Sequence, residues 1–169
     1  MGTLGQGYIL ALTGKALPAV QLLTAGLSEV RATGATLYAH TYLAFLGSAY
    51  AQLGNFGNAW RCIDEAMALV ETTKERMGEA EINRMAGEIA LSQDTTKAEG
   101  YFERALTVAR SQQAKSFELR AAASLARLWR DQGKRDEARE LLAPVYGWFT
   151  EGFDTRDLKE ANALLHELA

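Results

Sequence analysis

The chain is poor in the residues that carry most protein chemistry. One cysteine and two histidines among 169 residues leave no partner for an internal disulfide and too few soft ligands for a structural zinc site. Such a chain is expected in a reducing cytoplasm. Only two prolines interrupt it, and alanine and leucine recur throughout, which points to helix along its length. No apolar run approaches the ~18 residues of a membrane span. The start, MGTLGQGYILALTGKALPAV, lacks the basic head and unbroken apolar stretch of a secretory leader, so neither leader nor span is expected. An excess of one charge is missing too. Eighteen Lys+Arg against twenty-one Asp+Glu leave a net charge of −3, with no field to draw nucleic acid or an acidic membrane.

What the chain has is a rhythm. Aligning GKALPAVQLLTAGLSEV, GNFGNAWRCIDEAMALV, QDTTKAEGYFERALTVA and GKRDEARELLAPVYGWF puts Ala19, Ala59, Ala98 and Ala138 in one column, with a period of 39–40 residues. Leu23, Ile63, Phe102 and Leu142 follow four residues on. Gly26, Ala66, Ala105 and Val145 come at seven, and Val30, Val70, Ala109 and Phe149 at eleven. Those offsets trace one face of a helix. A second helix precedes three of these segments in register: Leu43, Leu46 and Tyr50 recur as Ile82, Met85 and Ile89, then as Ala122, Leu125 and Trp129. The repeating unit is a helical hairpin. Gly54 and Gly133 fall just past a helix end, where a left-handed residue closes the last turn, and Asp94 or Thr95 starts the next helix in the unit without glycine.

These residues carry a resemblance. Leu43, Leu46, Gly47, Tyr50, Gly54, Ala59, Ile63 and Ala66 match the spacing of a tetratricopeptide repeat, a hairpin in which small residues let two helices touch. The next units put Ala86 and Ala126 where Gly47 stands, and Glu71, Arg110 and Thr150 replace the usual closing proline. Residues 40–169 also resemble the C-terminal tails of large bacterial signalling proteins that join a class III nucleotide cyclase or a predicted ATPase to tetratricopeptide repeats. The resemblance implies an all-α, right-handed α-solenoid and an accessory role; no cyclase or nucleotide-binding domain is present in this chain.

One domain is expected over residues 1–169: an incomplete first hairpin at 1–33, hairpins at 36–74, 78–112 and 115–150, and a capping helix at 154–169. The capping helix carries an apolar stripe of Leu158, Ala161, Leu165 and Leu168, with Asp157 and Glu160 in its first turn, where negative charge suits the helix dipole. The first hairpin holds Thr3, Gln6 and Leu10 where large apolar residues belong, among three glycines. A frayed first helix, or an apolar surface open to a second subunit, is expected there. Pro18 falls in a first turn, where its missing N–H is no loss. Pro144 lies deeper and predicts a bend before Val145 that steers Tyr146, Trp148 and Phe149 toward the capping helix.

Catalysis needs a nucleophile, acid, base or metal held in a concave site, and the sequence offers none. Cys62 reads as a packed thiol, and His40 and His166 lie on different elements. Glycines 2, 5 and 7 have neither the preceding strand nor the following Gly-Lys-Ser/Thr of a phosphate loop. No enzyme, cofactor or metal site is expected.

In tetratricopeptide arrays the first helix of each hairpin lines the concave face. The resemblance therefore makes Thr41, Ser48, Gln52, Asn83, Arg84, Arg120, Arg127 and Arg130 the candidate contacts for a protein or peptide. The arginines suit a partner with an acidic end; alternatively they pair with Glu118, Asp131 or Glu137. The lysine and asparagine clamp of chaperone-binding relatives has no counterpart, since Ala44 and Ser48 occupy those slots. Two readings remain open: a noncatalytic interaction scaffold that holds a protein or peptide on its concave face or pairs with itself through the first hairpin, or a regulatory segment acting on a cyclase or ATPase, in trans or as a remnant of a longer signalling protein.

Overall fold

A computed structural model describes residues 2–169 and contains, among them, nine helices and no strand. Helices α1 (Thr3–Leu12) and α2 (Ala16–Thr33) form the first pair, and α3 (Ala39–Gln52) and α4 (Phe56–Thr73) the second. The third is α5 (Glu79–Ala90) with α6 (Thr95–Ser111), and the fourth α7 (Lys115–Asp131) with α8 (Arg135–Gly147); α9 (Arg156–Leu168) follows. Each pair is an antiparallel hairpin stacked on the next, an all-α solenoid.

The turns inside the pairs show how the sequence breaks helix. Gly14, Gly54 and Gly133 hold φ of +74°, +75° and +82°, a conformation that costs glycine nothing and most residues about 1 kcal/mol. The third pair has no such glycine. There Asp94 turns the chain, its carboxylate accepting from the amides of Thr96 and Lys97 at 3.0 and 3.2 Å. Asn55 caps α4 in the same way through Asn58.

The aligned columns are the core. Ala19, Ala59, Ala98 and Ala138 are all 0% exposed, and Leu23, Ile63, Phe102 and Leu142 are buried beside them. A methyl group is all the room at these positions, so neighbouring backbones come close and the larger column fills the groove alongside. Trp60 and Tyr101, with ring centroids 5.8 Å apart, pack against both halves of the core and join the second pair to the third.

Three expectations are corrected. The first hairpin is formed. Gly7 stands in the column of Gly47, Ala86 and Ala126, and a methyl added to it would lie 2.9 Å from Leu23; one added to Gly26 would lie 2.6 Å from Leu4. The glycines serve close packing, and α1 meets α2 through them. In α9 the buried stripe is Leu158, Ala161, Leu164 and Leu168, with Leu165 only partly covered. Ala161, Leu164 and Leu168 continue the column of Ala122, Leu125 and Trp129 at the repeat spacing, so α9 is in effect the first helix of a fifth unit. Finally, α8 continues past Pro144 to Gly147, and the expected steering of three aromatics toward the capping helix holds for only two of them. Tyr146 and Phe149 pack on the core, whereas Trp148 is exposed, with the Lys115 ammonium 5.6 Å from its ring.

Candidate binding groove

The first helices of the pairs share one side of the solenoid, and a basin of 560 Å³ opens there. Its walls come from Leu12 at the end of α1, Phe45 on α3, Glu81 and Arg84 on α5, a long stretch of α7, and Thr155, Arg156 and Asp157 at the start of α9. Leu119, Ala123 and Phe45 supply apolar surface; Ser116, Arg120, Ser124 and Arg127 supply polar groups. A second basin of 410 Å³, lined by Ser48, Gln52, Met85, Glu88 and others, adjoins it and shares Arg84.

Arg84 is the hub. Its guanidinium reaches both oxygens of Glu81 at 2.8 and 3.0 Å, Glu88 at 3.2 Å and the Ser124 hydroxyl oxygen at 3.4 Å. The Ser124 hydroxyl donates to Glu88 at 2.7 Å. Burial works against the charge of Arg84, but the hydrogen bond and charge of Glu81, helped by Glu88 and Asp157, outweigh it and raise its pKa. This group stays a cation under all ordinary conditions, and it ties α5 to α7.

The three arginines of α7 face α9. Arg120 Nε donates to Asp157 at 2.6 Å, Arg127 Nη2 to Glu160 at 3.1 Å, and Arg130 to Glu167 and, at 2.9 Å, to Asp131. Arg120 also stands 3.7 Å from Glu81. Arg156 pairs with Glu160 at 2.6 Å and reaches across to the Leu12 carbonyl at 3.4 Å, so the start of α9 touches the end of α1. Arg84, Arg120, Arg127 and Arg156 are thus matched by Glu81, Glu88, Asp157 and Glu160.

Of the alternative partners read from the sequence, Asp131 does pair with Arg130, while Glu118 is taken elsewhere. It is buried and holds Arg110 and Lys115 at 3.0 and 2.7 Å. Burial alone would raise its pKa, but the hydrogen bonds from those two cations outweigh this and lower it.

The eight candidate residues are therefore spread over several settings. Ser48, Gln52, Arg84, Arg120 and Arg127 line the two basins. Thr41 lies against the loop before α5, where a methyl on Gly78 would come within 2.9 Å of its hydroxyl. Arg130 is held by Asp131 and Glu167 at the far end of the α7–α9 seam. Asn83 is removed from the groove surface: it is 0% exposed, and its amide donates to the Glu79 carbonyl at 2.8 Å. It stands in the column of Ala44, which is likewise buried. Sequence reasoning missed Phe45, Glu81, Ser124 and the acids of α9. The signal was there, because reading α9 as a fifth first helix would have put Asp157 and Glu160 beside Arg120 and Arg127.

Among the described residues no three His, Cys, Asp or Glu side chains gather as metal ligands, and no helix is long and apolar enough to cross a membrane. Cys62 is buried against Gly47; burial, and then the charge of Glu65, push its thiol up to about 11.

No protein-family model matches the chain, and a search of curated proteins finds no match. Solved structures do match. Crystal structures of the nearly identical TPR-like repeats of a kinesin light chain-like protein from Podosopora anserina, and of a single-residue variant of it, are similar to this chain at 16% identity. The variant superposes with a TM-score of 0.70 over 98% of this chain and 82% of that one, the other with 0.69 over 98% and 83%. At that identity the likeness is one of fold: the chain has the architecture of a tetratricopeptide-like repeat solenoid.

Proposed function

We propose that this chain is a noncatalytic cytoplasmic scaffold that holds a segment of a partner protein in the groove formed by α1, α3, α5, α7 and α9, with acidic side chains of that segment directed at Arg120 and Arg127. The observation that carries the reading is the basin itself. It is open and large enough for several side chains, has an apolar floor of Phe45, Leu119 and Ala123, and is rimmed by arginines. Each guanidinium has five N–H donors, and the contacts of Arg127 use only one of its nitrogens. Such a mixture of apolar floor and fixed polar groups is what binding sites need, and the fold commonly serves protein interaction.

The test is a displayed random-peptide library panned on the protein and on Ser116→Trp, which puts an indole into the basin from an exposed position of α7. Peptides enriched on the first and lost on the second support the reading. No enrichment, or enrichment indifferent to Ser116→Trp, overturns it.

Pairing of two copies through the first hairpin has its own support. Leu17 is 60% exposed and Ile9 43%, and Lys15 is the one charged side chain before Glu29. A two-fold contact buries the same patch on both copies, so any charge in it is buried twice, and a patch with one charge suits self-pairing. Light scattering should give a dimer that Leu17→Asp splits; a monomer at every concentration rules pairing out.

A further inference from the structure

We propose that Asp157 and Glu160 of α9 set the partner specificity of the groove: they hold Arg120 and Arg127 so that only a segment presenting carboxylates of its own can take their place. The inference rests on the groove being the partner-binding surface.

The two acids are not what keeps α9 docked. Leu158, Ala161, Leu164 and Leu168 are buried to 4% exposure or less and supply its anchorage, whereas half-exposed ion pairs add little. The side chains of Asp157 and Glu160 are 33% and 43% exposed. Either can rotate into water without opening a cavity or stranding a buried charge. What they do instead is satisfy the groove. With them in place, Arg84, Arg120, Arg127 and Arg156 each already meet a carboxylate, and none is left unpaired for a passing anion.

The consequence is a selection rule. A neutral or basic segment entering the basin leaves the pairs intact and gains nothing from the arginines. An extended polyanion is met by Glu81 and Glu88 as well. A glutamate or aspartate side chain can accept from a guanidinium fork in two places while Asp157 or Glu160 swings out to solvent, so the exchange is nearly even. Taking the charge off the two α9 acids removes the competitor.

The experiment pans the same random-peptide library on the full chain, on Asp157→Asn/Glu160→Gln, and on that double variant carrying Arg120→Ala and Arg127→Ala. Aspartate and glutamate should be about three- to tenfold more frequent among peptides enriched on Asp157→Asn/Glu160→Gln than on the parent, the ratio expected from freeing two half-exposed pairs. The excess should vanish when the arginines are removed. Melting curves establish that α9 stays docked; if the double variant melts early, Glu160→Gln alone is panned instead. Enriched pools of the same composition on parent and variant overturn this inference while leaving the groove as a binding surface. No enrichment on any of the proteins overturns both.

Discussion

Arg120 Nε and Asp157 Oδ2 lie 2.6 Å apart although 37 residues separate them in the chain. The contact brings the start of α9 against the middle of α7. Both side chains are about one-third exposed, so solvent screens the pair. Asp157→Ala should lower unfolding free energy by only about 0.2–1 kcal/mol, and the reversed pair Arg120→Asp/Asp157→Arg should recover part of that. Near 1 M salt, where the screening length falls to about 3 Å, the difference should fade. Urea unfolding of the parent, Arg120→Asp, Asp157→Arg and the reversed pair gives the coupling directly. A loss above about 3 kcal/mol would mean that the pair acts as a buried one.

Gly87 faces the ring of Phe102, which is wholly buried, and a methyl group at Gly87 would overlap the ring edge. Gly87→Ala should therefore destabilise the fold by about 1–3 kcal/mol despite the better helix propensity of alanine, because the ring has nowhere to retreat. Adding Phe102→Leu should restore part of the loss in a denaturation curve. Gly100, with no atom within 4 Å of an added methyl, is the control; Gly100→Ala should leave stability equal or slightly raised.

How much of this was legible beforehand depends on the physics of each position. Ala19, Ala59, Ala98 and Ala138 could be read because close packing at a fixed pitch admits only small residues, and a period survives in sequence. Gly26 already stood in that pattern and Gly7 belongs to it too, yet a glycine near an N-terminus reads as a helix breaker, so the first hairpin looked half formed. Asn83 read as groove-lining because it is polar, yet like Ala44 at the equivalent position it is packed inside. Arg120, Arg127 and their acids were each visible, but an ion pair across more than thirty residues has no local signature. Only the register of α9 brings them together.

His40 carries a pH prediction. Its ring is 1% exposed, and neither nitrogen has a hydrogen-bond partner among the described residues; Glu75 comes no closer than 3.6 Å. Burial lowers its pKa below the usual 6.5, with Glu75 pulling weakly the other way. The unfolded chain therefore takes up a proton that the folded chain resists. The stability due to neutral His40 is complete above the unfolded pKa, is lost as pH falls through 6.5, and levels off below the folded pKa. Thermal unfolding should show a larger drop from about pH 7.5 to about pH 5.5 than in His40→Leu. Equal drops would assign the effect to other groups.

Cys62 offers a probe of how the second hairpin opens. Its thiol is 5% exposed and its Cβ would lie 3.3 Å from a methyl on Gly47. With the pKa near 11, only about one thiol in ten thousand is ionised at neutral pH, and thiolate is the form that reacts. An aromatic disulfide reagent should label urea-unfolded protein within minutes and native protein orders of magnitude more slowly, at a rate set by separation of α3 from α4. Gly47→Ala crowds that seam, since the added methyl would stand 3.0 Å from the Ala59 carbonyl oxygen. Native labelling should then accelerate about tenfold for each ~1.4 kcal/mol of stability lost. Equal rates for native and unfolded protein would mean that the thiol is open to solvent and that α3 and α4 do not close over it.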